Sequence, residues 1–221
     1  MPERPFTDDH RRRFLALHSA LLCDSLDRMG LPLQVMRSDI RPVYPGAVVV
    51  GRALTVLQTA VYRRPDEPYK LLFEAFRALR RHDVLVITTT GERVSGVWGG
   101  LLSTSAQAHG AMGCVMDGLT RDVMEIEQIS FPVFAAGRTP IDSEGRCEAV
   151  EWNTPIECGG ARVSPGDVIF GDDMGLVVIP GQAAEDVLRR AEEKQRGETN
   201  VRGVLATGAD LGETFKRYGI L

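Results

Sequence analysis

The sequence predicts a layered α/β or α+β domain. Apolar runs rich in β-branched residues at 47–58 (AVVVGRALTVLQ) and 83–88 (DVLVIT) are typical of buried strands. Residues 69–81 lie between them and carry apolar side chains at helical spacing. We see no repeating strand–helix–strand rhythm and no glycine fingerprint of a dinucleotide fold. Because the 221 residues are 43% hydrophobic and contain no long linker, we expect a single domain over 1–221.

Two helices are predicted at the start of the chain. Thr7 is placed to cap an amphipathic helix, because a threonine side chain can accept a hydrogen bond from a first-turn amide. A second helix is predicted near residues 19–28, and the glycine and proline within 29–32 end it. The acidic segment 24–27 is expected on the helix surface, with direct catalysis as the alternative.

Glycine and proline divide the central elements. Gly51 interrupts residues 47–58, which indicates strands with a bulge or with a close approach of another backbone. Pro68 opens the helix that follows. Residues 83–88 form the next strand, and residues 91–97 form a loop that approaches the candidate site.

The second half continues as a mixture of strands and helices. The predicted elements are a helix at 123–129, a strand at 131–135, a glycine segment at 158–163, a turn at 165–167, two antiparallel strands within 168–180, a charged helix at 183–196 and a terminal segment at 198–205 that precedes the final Tyr-Gly-Ile-Leu. Asp172 and Asp173 are expected in a turn between the two strands. A calcium loop would need alternating acids and a terminal glutamate, which this segment lacks.

Composition limits the classes of partner. The formal net charge is −4, so we expect no nucleic-acid partner despite short basic runs at 11–13 and 77–81. The charged N-terminal segment has no signal-peptide core and no run has the length of a membrane span, which favours a cytoplasmic protein without a membrane partner. The four cysteines are scattered without metal-binding spacing and are expected to be buried thiols.

Residues 98–122 (WGGLLSTSAQAHGAMGCVMDGLTRD) have the layout of a ligand site. Gly99 and Gly100 precede a predicted helix over 101–107, whose free first-turn amides could hold a carboxylate. After a predicted strand and an Asp-Gly turn, Arg121 and Asp122 follow side by side. Arginine binds carboxylates and aspartate binds hard divalent cations, so a 2-oxo acid could bridge both. A solvated surface pair is the alternative reading of this dipeptide.

These motifs carry a resemblance to a known family. The segments HSALLCDSLDRMG, WGGLLSTSA, DGLTRD, PGDVIFGDDMGLVVIP and the closing YGIL resemble the class II aldolases that cleave 4-hydroxy-4-methyl-2-oxoglutarate, and the RraA-like proteins that share their fold. The resemblance extends over most of the chain. It implies a central β-sandwich flanked by helices, and a homotrimer or hexamer with each site between neighbouring subunits.

The resemblance also implies roles for individual residues. The glycine-leucine turn, here Gly99, Gly100, Leu101 and Leu102, would bind the pyruvyl carboxylate through its amides. Arg121 would bind the keto acid, and Asp122 would help to hold Mg²⁺ or Mn²⁺. Active aldolases of the family commonly have an acid directly after the first glycine, where this chain has Gly100. A neighbouring subunit contributes a further acid, for which Glu198 is the nearest match, with Glu192 and Glu193 as competitors.

The sequence therefore predicts a divalent-metal-dependent lyase that acts on a 2-oxo acid and releases pyruvate, with Arg121 and Asp122 as its catalytic residues. Aldol cleavage and oxaloacetate decarboxylation both fit, because each leaves a pyruvate enolate to be stabilised. His109 could act as a general base or could stabilise a helix end. A lysine Schiff base is not expected, because no lysine lies in an apolar motif. The alternative function is a non-catalytic, RraA-like regulator that binds an RNA-degrading enzyme.

Overall fold

A computed structural model of the chain describes residues 6–220. Residues 1–5, which belong to the segment used to exclude a signal peptide, and Leu221 of the terminal tail lie outside the described residues. The helices are α1 (Asp8–Leu15), α2 (Ser19–Arg28), α3 (Lys70–Ala78), α4 (Gly100–Ala108), α5 (Val123–Gln128), α6 (Ala184–Leu205) and α7 (Leu211–Tyr218). The strands are β1 (Arg41–Pro42), β2 (Val49–Ala60), β3 (Asp83–Thr88), β4 (Gly96–Trp98), β5 (Gly113–Met116), β6 (Leu119–Thr120), β7 (Val133–Ala135), β8 (Gly137–Arg138), β9 (Cys147–Trp152), β10 (Ile156–Cys158), β11 (Ala161–Val163), β12 (Val168–Asp172) and β13 (Gly175–Ile179).

A mixed sheet of eight strands forms the centre of the fold. Its order is β1-β7-β5-β3-β2-β12-β13, and β9 pairs with the second half of the long strand β2. Strands β2, β3, β5 and β7 are parallel to their neighbours in this series, whereas β12 and β13 form an antiparallel pair, as predicted. A three-stranded sheet β4-β6-β8 and a hairpin β10-β11 complete the strands.

The expectation that the chain lacks a repeating strand–helix–strand rhythm was wrong. Helix α3 connects β2 to β3, α4 lies between β3 and β5, and α5 lies between β5 and β7, and each of these strand pairs is parallel. The three helices have only nine, nine and six residues, and the short strands β4 and β6 interrupt the pattern. The repeat brings the carboxyl ends of the parallel strands to one edge, where ligands bind in such sheets.

The central strands are buried on both faces. In β3, Leu85 and Ile87 pack in the cluster that contains residues of α3, α4 and α5. Val84 and Val86 point to the other face, where they pack in a cluster with the β10-β11 hairpin and with β12 and β13. This arrangement confirms the layered α/β class, with helices on one side of the central sheet.

Helices α1, α2 and α6 form a further layer. They pack in one cluster with apolar residues of β12 and β13. Asp172, at the end of β12, holds α2 in place because its carboxylate accepts hydrogen bonds from the Ser19 amide at 2.9 Å and the Ser19 hydroxyl at 2.8 Å. It also accepts one from the amide of Met174, within the turn that joins the two strands. The predicted structural role of this acidic turn is therefore confirmed.

Several predicted boundaries match the structure. The helix at 19–28 and the strand at 83–88 are found over those residues, and Thr7 caps α1 through a hydrogen bond from the His10 amide. A side chain at Gly51 would place its Cβ 2.3 Å from the His82 carbonyl oxygen, so this glycine marks a close backbone approach. The register irregularity of the long strand lies between Leu57 and Gln58 instead.

The C-terminal helix is longer than predicted. Helix α6 has 22 residues and continues through Gly197 to Leu205 without a break at residue 196. A Cβ at Gly197 would lie 2.5 Å from Cδ1 of Ile220, so the glycine makes room for the returning tail. Among residues 6–220, no helix combines the length and the apolar character needed to cross a membrane.

Candidate active site

The N-terminus of helix α4 presents free backbone amides. Gly99 is the N-cap, and the Gly100 amide donates to the Asp122 carboxylate at 3.2 Å. Within residues 6–220, no protein acceptor contacts the amides of Leu101 and Leu102. These amides and the positive end of the helix dipole favour a bound anion. The structure thus places the predicted glycine-leucine turn at a helix start, where the Gly100 amide is bonded to Asp122 and the amides of Leu101 and Leu102 have no acceptor among residues 6–220.

Arg121 lies beside this helix start. Its amide donates to the Trp98 carbonyl at 2.9 Å, which ties β6 to the residue before Gly99. The guanidinium contacts Asp122 through Nε at 3.3 Å and Asp142 through Nη1 at 3.3 Å, and 35% of the side chain remains exposed. Two anions therefore orient the planar donor group while part of it faces solvent, where a carboxylate ligand can reach it.

Asp122 is held in an unusual backbone conformation. It is the N-cap of α5, yet its φ is 55° and its side chain makes no capping bond to that helix. Instead the carboxylate turns toward α4 and accepts hydrogen bonds from Gly100 and Arg121. Left-handed backbone at a residue other than glycine costs free energy and is concentrated at functional sites. In this backbone conformation the Asp122 carboxylate faces the start of α4.

Three glycines leave space for these charged groups. An added Cβ at Gly99 would lie 2.5 Å from Oδ2 of Asp122, and one at Gly96 would lie 3.3 Å from Cβ of Arg121. An added Cβ at Gly100 would lie 2.1 Å from Oε2 of Glu125. A larger residue at any of these positions would therefore have to displace side chains of the 121–125 segment.

Two acidic residues at the site were missed by the sequence analysis. Glu125 reaches over Gly100 from the first turn of α5. Asp142 pairs with Arg121 and accepts a hydrogen bond from the Ser143 amide at 2.8 Å. A glutamate in a helix first turn and an aspartate in a loop are common surface features, so neither carried a sequence signal.

A buried aspartate holds the edge of the sheet together behind the site. Asp117, 7% exposed, accepts hydrogen bonds from the Thr88 hydroxyl at 3.0 Å, the Thr89 amide at 2.8 Å and the Gly159 amide at 3.2 Å. These donors come from the end of β3 and from the β10-β11 hairpin. The aspartate of the predicted Asp-Gly turn thus has a structural role, because its carboxylate accepts hydrogen bonds from protein donors.

The structure does not bring His109 or Glu198 to this site within one chain. His109 is the C-cap of α4, at the end opposite Gly99, and its Nδ1 lies 2.8 Å from the Ser105 carbonyl oxygen. Its position is the one expected for a residue that stabilises a helix end, which was the alternative to a general base. Glu198 lies in α6, where its carboxylate is 3.3 Å from Nζ of Lys194.

Lys194 is enclosed, which the sequence did not predict. Its side chain is 8% exposed and pairs with Asp24 of α2 and with Glu198. Its amino group is thus held in ion pairs that connect α2 with α6. The acidic segment 24–27 therefore contributes a structural ion pair on the helix surface.

The buried thiols are unsuited to nucleophilic attack. Burial raises the pKa of Cys147 to about 12 and the pKa values of Cys114 and Cys158 well above their usual range. Since the thiolate is the reactive form, these groups stay protonated at neutral pH. The predicted burial of the cysteines is confirmed for these three, while Cys23 is partly exposed.

A separate cleft of about 980 Å³ lies between α1 and the start of α6. Its lining includes Phe6, His10 and Arg162, and none of the residues of the α4 start. His10 is engaged there by the Thr7 hydroxyl and by Glu185. The Arg121 side chain, 35% exposed, and the start of α4 lie outside this cleft.

Comparison with known proteins assigns the family. A family model described as RraA-like, Aldolase/RraA, matches residues 19–178, which include every element around Arg121 and Asp122. The chain belongs to the RraA-like family. The similarity to RraA-like proteins thus extends over both the core of the fold and the segment that carries the candidate site.

Two curated relatives illustrate the range of RraA-like proteins. A protein of Halalkalibacterium halodurans named "Putative 4-hydroxy-4-methyl-2-oxoglutarate aldolase" is 32% identical over 187 residues, which are 85% of this chain and 84% of that protein. Protein DlpA of Legionella pneumophila is 27% identical over 207 residues, or 94% of this chain. The match spans only 33% of the length of DlpA.

A solved RraA-like structure has the same fold. The crystal structure of Streptomyces coelicolor RraAS2 superposes with a TM-score of 0.80 and 26% identity, over 90% of this chain and 98% of that chain. RraAS2 is described as an unusual member of the RNase ES inhibitor RraA protein family. Proteins named for catalysis and for inhibition thus share this architecture.

Proposed function

We propose that this protein is a divalent-metal-dependent lyase that acts on a 2-oxo acid and releases pyruvate. Its reaction is aldol cleavage of a 4-hydroxy-4-methyl-2-oxoglutarate-type substrate, decarboxylation of oxaloacetate, or both. One observation carries the proposal: Arg121 and Asp122 converge on the free amides at the start of α4. The aldolase names of relatives such as the Halalkalibacterium protein support the same reaction class.

The binding groups suit a 2-oxo carboxylate. The amides of Leu101 and Leu102 would accept the substrate carboxylate, beside the Gly99-Gly100 turn, and the Arg121 guanidinium would bind the adjacent oxygen atoms. Arg121 also lies where negative charge develops when a carbon–carbon bond next to the keto group breaks. Electrostatic stabilisation of such charge contributes several kcal/mol in enzyme sites, roughly 3–4 for a single donor.

The donor set fits a magnesium-type cation. Asp122 would hold Mg²⁺ or Mn²⁺ through its carboxylate, since Mg²⁺ is commonly bound by one or two carboxylates together with substrate and water. Among residues 6–220, no group of three or more potential metal-binding side chains occurs, so substrate and water oxygens would have to supply the remaining ligands. When bound, the cation would stabilise the enolate that both reactions produce.

The test is pyruvate release by the purified full-length chain. Oxaloacetate and 4-hydroxy-4-methyl-2-oxoglutarate are each supplied with Mg²⁺, with Mn²⁺ and with EDTA. We expect metal-dependent turnover that EDTA abolishes. Absence of pyruvate from both substrates above the uncatalysed rate with metal would contradict the proposed function.

Variants then assign the activity to the site. Arg121→Ala is expected to lower kcat/KM at least about 100-fold, and Arg121→Lys to recover only part, because lysine lacks the planar fork. Asp122→Asn is expected to weaken binding of the metal ion and to abolish turnover. Unchanged melting temperatures for Arg121→Lys and Asp122→Asn would separate lost chemistry from lost folding. Full activity of Arg121→Ala or of Asp122→Asn would refute the role assigned to that residue.

The second candidate function is a non-catalytic regulator that binds an RNA-degrading enzyme. It is favoured by the likeness to RraAS2 over nearly the whole of that chain, and by Gly100 in place of an acid. The purified chain would bind an RNase E-type enzyme and slow RNA cleavage, and Arg121→Ala would leave this inhibition intact. The two candidates are thereby distinguished with one set of variants.

The proposal includes a homotrimer, or a hexamer built from trimers, as the resemblance implies. Each site would lie between neighbouring subunits, and Glu198 of one subunit would be the acid that approaches the site of another. Leu101 and Met124 beside the site are 85% and 76% exposed in the single chain. Exposed apolar side chains next to a binding site support coverage by a neighbouring subunit.

A further inference from the structure

We propose that Glu125 is the general acid–base residue of the aldol reaction, a role that rests on the proposed function above. Glu125 lies at the third position of α5, one helical turn after Asp122. Its Oε2 occupies the space that a side chain at residue 100 would fill, 2.1 Å from the ideal Cβ position. The carboxylate therefore stands over the first residue of the anion-binding helix.

Glu125 is the carboxylate of the site that the protein leaves free. Asp122 is engaged by the Gly100 amide and Arg121, and Asp142 by Arg121 and the Ser143 amide. Within residues 6–220, the Glu125 side chain makes no hydrogen bond or ion pair. A group that transfers protons needs such a free oxygen within reach of the substrate.

The geometry separates binding from proton transfer. Asp122 meets Gly99 and Glu125 meets Gly100, so the two carboxylates approach successive residues of one turn. The absence of a side chain at Gly100 leaves room for the Glu125 carboxylate beside the first residue of α4. A 2-oxo acid bound by the Leu101 and Leu102 amides and by Arg121 would place its C4 hydroxyl on the side of Glu125.

The proposed step balances without any further reactant. The Glu125 carboxylate accepts the proton of the substrate's C4 hydroxyl, and the C3–C4 bond breaks as the C4–O bond becomes a carbonyl. The electron pair of the broken bond remains on C3 as pyruvate enolate, which Arg121 stabilises. The protonated Glu125 then returns the proton to C3, which releases pyruvate and restores the carboxylate.

A purely structural role for Glu125 makes a different prediction. An acid in the first turn of a helix interacts favourably with the helix dipole, which affects stability only. Oxaloacetate decarboxylation discriminates between the roles, because it forms the same enolate without removing a hydroxyl proton. Binding of oxamate, an analogue of pyruvate, provides a readout that requires no turnover.

The first experiment compares Glu125→Gln with Glu127→Gln, an exposed acid on the same helix. We expect Glu125→Gln to lower kcat for aldol cleavage at least about 100-fold, while decarboxylation changes less than about threefold. Oxamate affinity by calorimetry and the melting temperature stay at the wild-type values, and Glu127→Gln behaves as wild type. An equal loss in both reactions, or none in aldol cleavage, would overturn the role of Glu125. Failure of the wild type on both substrates would instead contradict the proposed function.

The second experiment displaces the carboxylate without removing it. Gly100→Ala adds a Cβ at the position of the Glu125 oxygen and is expected to lower aldol cleavage at least about tenfold. In a Glu125→Ala background the same substitution has no oxygen to displace, so it adds little further loss. Additive effects in this double-mutant cycle would show that the two residues act independently and would refute the proposal.

Discussion

At the scale of single residues, the site depends on one strained aspartate. Asp122 combines a φ of 55° with a side chain directed away from the helix that it caps. An L-residue in this region costs about 1–2 kcal/mol, whereas glycine adopts it freely. The chain thus retains an aspartate where a glycine would be less strained, because only the carboxylate contacts Gly100 and Arg121.

This cost can be measured by comparing Asp122→Ala with Asp122→Gly. Both substitutions remove the carboxylate, and only glycine relieves the backbone strain. We expect the glycine variant to be more stable by about 1 kcal/mol in urea unfolding, although both lose turnover. Greater stability of the alanine variant would mean that the left-handed backbone is not maintained in solution.

Sequence reasoning selected Arg121 and Asp122 of the candidate site and missed Glu125 and Asp142 for a physical reason. Arg121 and Asp122 were predictable because they follow a strand and a turn, and the chain itself places them at a sheet edge. Glu125 and Asp142 reach the site only through space, from a helix face and from a loop. Their relevance emerges from the close approach to Gly100 and from the pairing with Arg121, which local periodicity does not encode.

At the scale of elements, one ion pair connects the first helix to the long C-terminal helix. Arg13 of α1 donates to Glu192 of α6 through Nε at 2.7 Å and through Nη2 at 3.0 Å. This two-pronged pairing lowers the pKa of the Glu192 carboxyl, chiefly through the Arg13 hydrogen bonds. The pair lies over the apolar cluster formed by α1, α2 and α6 and helps to orient these helices.

The pairing predicts how stability depends on pH. Because the pKa of Glu192 is lower in the folded than in the unfolded chain, its stabilisation is complete above the ordinary glutamate range. It is lost as the pH falls through the lowered folded value. Glu192→Gln should cost about 1 kcal/mol at pH 7 and progressively less in acid. Urea unfolding of both proteins from pH 7 to pH 3 tests this; a difference that grows in acid would contradict it.

Elements with a strong local pattern were predictable, and those defined by distant contacts were not. The run DVLVIT gave the strand Asp83–Thr88 because both of its faces are apolar. Helix α6 was predicted too short, and the packing of Ile220 from the tail against Gly197 is a distant contact that the local pattern does not show. The strand–helix–strand repeat was hidden because its helices are short and are separated by the strands of a second sheet.

At the scale of the whole molecule, the fold presents the candidate site at the surface of the single chain. The carboxyl ends of the parallel strands lie at one edge of the central sheet. Arg121 and Asp122 follow directly after β6, the middle strand of the β4-β6-β8 sheet. Arg121 is about one-third exposed, and apolar side chains of α4 and α5 next to it face solvent. Water exclusion strengthens the electrostatic interactions on which the proposed chemistry depends. A covering subunit would provide that exclusion.

Met124 allows this arrangement to be tested, since its side chain is 76% exposed at the start of α5. In the proposed trimer it is covered by a neighbour, so Met124→Glu would bury an unpaired charge and favour monomers. We expect light scattering to give three or six times the chain mass for the wild type and a single chain mass for Met124→Glu. Pyruvate release should fall at least about tenfold as water enters the site. Arg77→Glu, which places the same charge on an exposed polar residue of α3, serves as the control and should keep the wild-type mass and activity. A monomeric wild type with full activity would show that one chain completes the site by itself.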